Sequence, residues 1–107
     1  AYIPPSIPKI SGAYNYTACY NELTNARAMT GYTFTNSTGM TVDVCTTSCS
    51  AKGYLLAGLQ FGTQCYCSNA ISASAPIVDD IQCKVLVCPG NKLQYCSAGS
   101  RLQVYSS

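Results

Sequence analysis

The sequence predicts a small α+β domain, a short antiparallel β-sheet packed on one α-helix, held by disulfides rather than by a large apolar interior. Three observations predict it. Eight cysteines are spread over 107 residues. Cys45 and Cys49 are four residues apart, which on a helix places them on a single face about 6 Å apart along the axis. Cys65 and Cys67 are two residues apart, which on a strand places them on one face about 6.7 Å apart. The two rises nearly match, so a helix laid across a strand can be fastened by two side-by-side disulfides, a bond that tolerates a narrow range of Cα separations. A helix parallel to the strand pairs Cys45 with Cys65 and Cys49 with Cys67; an antiparallel one crosses the pairing.

Composition supports this frame. The chain has no Trp and two Phe, so the core is expected to be thin and the cystines to compensate for it. The even cysteine count and the sequons at Asn15-Tyr-Thr17 and Asn36-Ser-Thr38 point to an oxidising, secretory route and to Asn15 and Asn36 as glycan acceptors. Eight cysteines allow roughly a hundred pairings, so composition alone selects none of them. Zinc is disfavoured: C-x3-C and C-x-C stand where C-x2-C knuckles would, and the chain contains no histidine. No cofactor is expected. A net charge of +2 without a basic cluster argues against nucleic-acid binding. The short apolar runs argue against a membrane span. The ends of the chain read as those of a mature or excised module, with other domains of a longer parent chain as possible neighbours.

Residues 1–12 hold Pro4, Pro5 and Pro8 and no cysteine, and read as a linker or N-terminal arm, leaving 13–107 as the domain. Tyr16 to Tyr20 alternates as a strand. Asn21 to Thr38 is polar and reads as a loop. A helix starts after Thr41 as N-cap, with Asp43 in its first turn, and ends at Gly53. Val42, Cys45 and Cys49 form its buried stripe, leaving Thr46, Ser50 and Lys52 to water. Tyr54 to Phe61 reads as a central strand, Gly62-Thr63 as a turn, and Gln64 to Ser68 as the hairpin partner. With Cys65 and Cys67 turned to the helix, Tyr66 points to the other face. Asn69 to Gln82 reads as loop, Pro89-Gly90-Asn91 as a turn, and Leu102 to Tyr105 as a final strand.

In order along the chain come Cys19-Tyr20, Arg27-Ala28-Met29, Met40-Thr41-Val42, Gly53-Tyr54, Ala57-Gly58-Leu59-Gln60-Phe61-Gly62, Cys65-Tyr66-Cys67, Cys88-Pro89-Gly90-Asn91 and Ser100-Arg101-Leu102-Gln103-Val104-Tyr105. With these landmarks the chain resembles a WSC domain, the cysteine-rich extracellular module of fungal cell-wall stress sensors, also attached to secreted fungal enzymes and found in animal Kremen receptors. The resemblance implies a PAN- or apple-like fold with disulfides Cys19–Cys83, Cys45–Cys65, Cys49–Cys67 and Cys88–Cys96. It departs from the family at Gln60, Gln64 and Ser68, where Glu, Glu and Gly are common, in the spacing of Cys83 and Cys88, and at Ser97-Ala98-Gly99.

The resemblance also implies binding of carbohydrate, with fungal wall β-1,3-glucan as ligand and a secreted or cell-wall location. A sugar is held by an aromatic ring on its C–H face and by polar groups reaching its hydroxyls, and tyrosine joins an apolar body to a polar tip. Nine tyrosines supply candidates. Tyr66 leads, because its strand neighbours are committed to disulfides, and Tyr66→Ala is expected to lose polysaccharide retention without unfolding. Tyr54, Tyr95, Tyr32 and Phe61 follow, with Gln64, Asn69, Asp79, Asp80, Asn91 and Arg101 as polar partners. For any single tyrosine, capping a thin core is the favoured role over sugar contact. Asp79-Asp80 falls short of the roughly six to eight oxygens that calcium takes, so no metal site is assigned. Catalysis is not expected: without histidine, and with Glu22, Asp43, Asp79 and Asp80 as the whole acidic complement, no acid-base pair is evident. The alternative is an extracellular protein-interaction or self-clustering module of a wall-stress sensor.

Overall fold

The computed structural model describes residues 3–22 and 27–107. Ala1, Tyr2 and residues 23–26 lie outside them, and with them parts of the expected arm and of the expected loop from Asn21.

Among the described residues, nine strands and one α-helix follow in the order β1 (Ile10–Ser11), β2 (Tyr14–Asn21), β3 (Tyr32–Thr35), α1 (Val42–Ala51), β4 (Leu56–Gln60), β5 (Gln64–Ser68), β6 (Ile77–Val78), β7 (Val87–Cys88), β8 (Asn91–Tyr95) and β9 (Arg101–Ser106), with a 3₁₀ turn at Asp80–Cys83. The main sheet runs β1-β2-β9-β4-β5-β3, with β6 also on β2, and its strand pairs are antiparallel. The last strand of the chain thus lies at the centre, between β2 and β4. A separate β7–β8 hairpin turns through Pro89-Gly90.

The helix begins as its sequence specifies. Thr41 is extended, and its Oγ1 accepts the Val44 amide at 2.9 Å. At the other end Gly53 has φ +81°, and the Gly53 and Tyr54 amides donate to the Ser50 and Cys49 carbonyls, a glycine-dependent Schellman stop. Cys45–Cys65 and Cys49–Cys67 tie α1 to β5 with Cα separations of 5.4 and 5.3 Å, which is the parallel arrangement. Cys19–Cys83 and Cys88–Cys96 complete the set. Around these bridges Met40, Val42, Leu59 and Tyr105 form a fully buried core.

Several expectations are corrected. Thr46 is buried, not solvated, because β1 folds over the helix and the Ser11 hydroxyl lies 2.7 Å from the Thr46 hydroxyl. The polar stretch from Asn21 contains β3, and the Asn69 to Gln82 loop contains β6 and the 3₁₀ turn. Tyr66 does face away from the helix, but that face is covered. Ala28, Met29, Ile71 and Ala75 close over Tyr66, Leu102 and Val104 to form a second small core, and Tyr66 is 7% exposed. The sheet is therefore packed on both faces, by a stapled helix on one and by loop segments on the other.

The proline-bearing arm lies against the domain. Ser6 donates to Leu93 O and accepts from Tyr95 N at 3.0 and 2.9 Å, extending the β7–β8 hairpin by a parallel bridge to Gln94. Pro8 O accepts the Tyr105 hydroxyl at 2.7 Å.

Candidate functional site

Strand β3 forms the outer edge of the main sheet, where Tyr32 pairs with Cys67, Thr33 with Tyr66, Phe34 with Cys65 and Thr35 with Gln64. Alternation sends Tyr32 and Phe34 to the helix side and Thr33 and Thr35 to the Tyr66 side. Gly31 makes this approach possible: a β-carbon there would run into the Cys67 carbonyl and lie 2.7 Å from Tyr54 Cε1. One glycine thereby brings the edge strand against β5 and the Tyr54 ring.

Tyr32 is 38% exposed and walls two hollows. On the helix side a hollow of about 370 Å³ is lined by Tyr32, Phe34, Ser48, Ala51 and Lys52. The Tyr32 and Phe34 rings are tilted with centroids 6.0 Å apart, and Lys52 Nζ lies 4.4 Å from the Tyr32 centroid. On the other side a hollow of about 240 Å³ is lined by Arg27, Met29, Gly31, Tyr32, Thr33 and Tyr66. There Arg27 Nη1 donates to the Tyr66 hydroxyl at 2.9 Å, and that hydroxyl donates to Gln64 Oε1 at 3.3 Å. Arg27 also pairs at 3.3 Å with Glu22, whose other carboxylate oxygen accepts the Ala28 amide. Burial raises the Tyr66 pKa above its ordinary value; Arg27 opposes the shift and Glu22 adds to it. The hydroxyl therefore stays protonated at neutral pH.

The structure brings Tyr32, Tyr54, Tyr66 and Gln64 together at this edge. Asn69 lies beyond the end of β5, its side chain accepting the Leu55 amide. The other expected residues are elsewhere. Phe61 occupies the β4–β5 tip, and Tyr95 and Asn91 lie on β8. Asp79 caps the 3₁₀ turn, and Asp80 accepts from the Tyr16 hydroxyl at 2.7 Å. Arg101 is held on β9 by Gln82 and Asn21. Sequence reasoning left out Arg27, Lys52, Thr33 and Phe34. Arg27 stands in a family landmark, but its approach to Tyr66 depends on the sheet.

The acidic groups are dispersed and engaged: Glu22 with Arg27, Asp43 with Ser11, Asp80 with Tyr16, and Asp79 with its turn. The Cys45, Cys49 and Cys65 sulfurs lie within 4.8 Å of one another, but each is bonded in a disulfide, which removes the thiolate a metal would need. The larger hollow of about 590 Å³ between α1 and the β1–β2 turn is lined by Asp43, Thr46, Thr47 and Ser50, and the aromatic at its wall, Tyr14, is buried.

A WSC domain family model matches residues 16–98. A WSC domain-containing protein of Arthroderma benhamiae is 30% identical over 97% of this chain and 11% of its own length. Kremen protein 2 of Mus musculus is 35% identical over 84% of this chain and 19% of its own length. Xylosyltransferase sqv-6 of Caenorhabditis elegans is 29% identical over 81% of this chain and 11% of its own length. The chain thus spans under a fifth of each of these relatives. With one helix stapled to an antiparallel sheet by two of its four disulfides, and a family match running from β2 past β8, the chain belongs to the WSC domain family, usually an extracellular, non-catalytic carbohydrate-binding or sensor-like module.

Proposed function

We propose that this chain is a non-catalytic carbohydrate-binding module of a secreted or cell-surface fungal protein, with cell-wall β-1,3-glucan as its ligand and the β3 edge as its site. The observation that carries the reading is Tyr32, a partly exposed ring that separates two hollows and has a cationic side chain on either side. A pyranose laid along Tyr32 and Phe34 meets aromatic surface with its C–H face, while Lys52 and Ser48 of the same hollow reach its hydroxyls, and Arg27 and Thr33 serve the hollow on the other side of Tyr32. Tyr66 and Gln64 act from beneath by fixing Arg27. Such a shallow site binds one sugar unit weakly, and a repeating polymer supplies avidity. On this reading residues 13–107 are the binding domain and the arm is part of its support.

The test is depletion of the domain from solution by insoluble β-1,3-glucan, chitin, cellulose and xylan. Retention on β-1,3-glucan that drops by roughly tenfold in Tyr32→Ala, with an unchanged thermal midpoint, is expected. No retention on any of the four overturns the reading.

A further inference from the structure

We infer that the tip of the β4–β5 hairpin is a second saccharide platform, with Phe61 as its floor and Arg101 and Gln82 as its donors. The inference rests on the carbohydrate reading above but on different residues. Phe61 has φ +57°, the left-handed region that a bulky side chain rarely occupies. Two backbone bonds hold it there, Phe61 N to Ala98 O at 3.1 Å and Gly62 N to Cys96 O at 2.9 Å. The ring is nevertheless 57% exposed, so burial does not repay the unfavourable backbone. An outlier of this kind, fixed by its surroundings and presenting an aromatic ring to solvent, points to use at the surface.

Next to the ring lies a shallow hollow of about 290 Å³ lined by Gln82, Val85, Ala98, Gly99 and Arg101. A β-carbon at Gly99 would stand 3.7 Å from the Phe61 ring, so ring and hollow are contiguous. Arg101 is already oriented: Nε donates to Gln82 Oε1 at 2.6 Å and Nη1 to Asn21 Oδ1 at 2.8 Å. Among the described residues Arg101 Nη2 and Gln82 Nε2 have no hydrogen-bond partner. Two fixed donors beside an exposed ring suit a neutral pyranose, whose hydroxyls accept while its C–H face stacks. Tyr32 is paired with Cys67, and the tip lies beyond Gln64. The two platforms therefore stand on the order of 10–15 Å apart along the strand. One glucan chain can engage both, which raises its apparent affinity without new contacts at either.

Titration of the isotope-labelled chain with a soluble β-1,3-gluco-hexaose tests this. Amide shifts at Gly62, Ala98 and Gly99, in addition to those of β3, are expected. Phe61→Gly is the variant of choice because glycine accepts the left-handed backbone: its thermal midpoint should hold or rise, the tip shifts should vanish, and retention on insoluble β-1,3-glucan should fall about tenfold. Shifts confined to β3 and Lys52, or a Phe61→Gly variant that keeps wild-type retention, overturn the second platform and leave the first. Shifts at the tip alone support it and overturn the β3 assignment. No shift at either place removes both.

Discussion

Lys52 Nζ stands 4.4 Å from the centre of the Tyr32 ring, so the C-cap of the helix reaches the aromatic of the edge strand. The pairing holds Tyr32 in one orientation and joins two elements that share no backbone bond. Lys52→Met keeps the aliphatic stem but removes the cation. An exposed cation–π contact is worth about 0.5–1 kcal/mol. Retention on β-1,3-glucan should therefore fall roughly two- to fivefold, with little change in melting temperature.

Tyr66 separates support from contact. At 7% exposure, its truncation in Tyr66→Ala opens a cavity in the second core and should cost about 3 kcal/mol or more. This replaces the expectation, from sequence, that the variant keeps its thermal midpoint. Tyr66→Phe keeps the ring and removes the hydroxyl that receives Arg27. Denaturant unfolding should show the Phe variant close to wild type, and glucan depletion should show weaker retention because Arg27 keeps Glu22 but loses its second anchor.

Gly31→Ala should uncouple the edge. The added methyl meets the Cys67 carbonyl, which belongs to the sheet and cannot yield, and the Tyr54 ring. Overpacking of this kind costs about 1–3 kcal/mol. Hydrogen exchange should show Tyr32 to Thr35 losing protection before the centre of the sheet does.

Alkaline pH should unfold the domain. Tyr16 and Tyr105 both have raised pKa values, chiefly through burial, with Asp80 adding to the first and Gln103 partly opposing the second. A raised folded-state pKa contributes stability that is fully present below the unfolded tyrosine value of about 10 and is lost as pH rises beyond it. The melting temperature should be insensitive to these two groups at neutral pH and fall above about pH 10. The tyrosinate signals of Tyr16 and Tyr105 should appear together with unfolding; titration of both in a still-folded chain would contradict this.

The helix and its attachment were legible in the sequence because they depend on local spacing. Thr41, Gly53 and the two cysteine pairs specify caps, length and face, and matching rises require only that helix and strand be adjacent. The parallel pairing came from the family resemblance. Strand β3 was hidden because Tyr-Thr-Phe-Thr is four residues long and sits within Thr-, Asn- and Gly-rich sequence, where turn chemistry masks alternation. The burial of Tyr66 was equally out of reach: alternation gives a direction, whereas the loops that cover that direction come from distant parts of the chain. Thr46 was misread for the same reason, since Ser11 reaches it across 35 residues of separation. Of the proposed site, Tyr32 and Gln64 could be selected by residue type, while Lys52 and Arg27 acquire a role through the fold that places them beside rings.

Ser6 occupies the side of β8 that β7 leaves open. A bare strand margin offers amide and carbonyl groups to any passing chain, and small sheets are vulnerable to such recruitment. By plugging that margin with its own leading segment, the molecule denies strangers a template. A version trimmed back to Gly12 would be exposed to sticking to copies of itself through backbone pairing, even with every sulfur bridge intact.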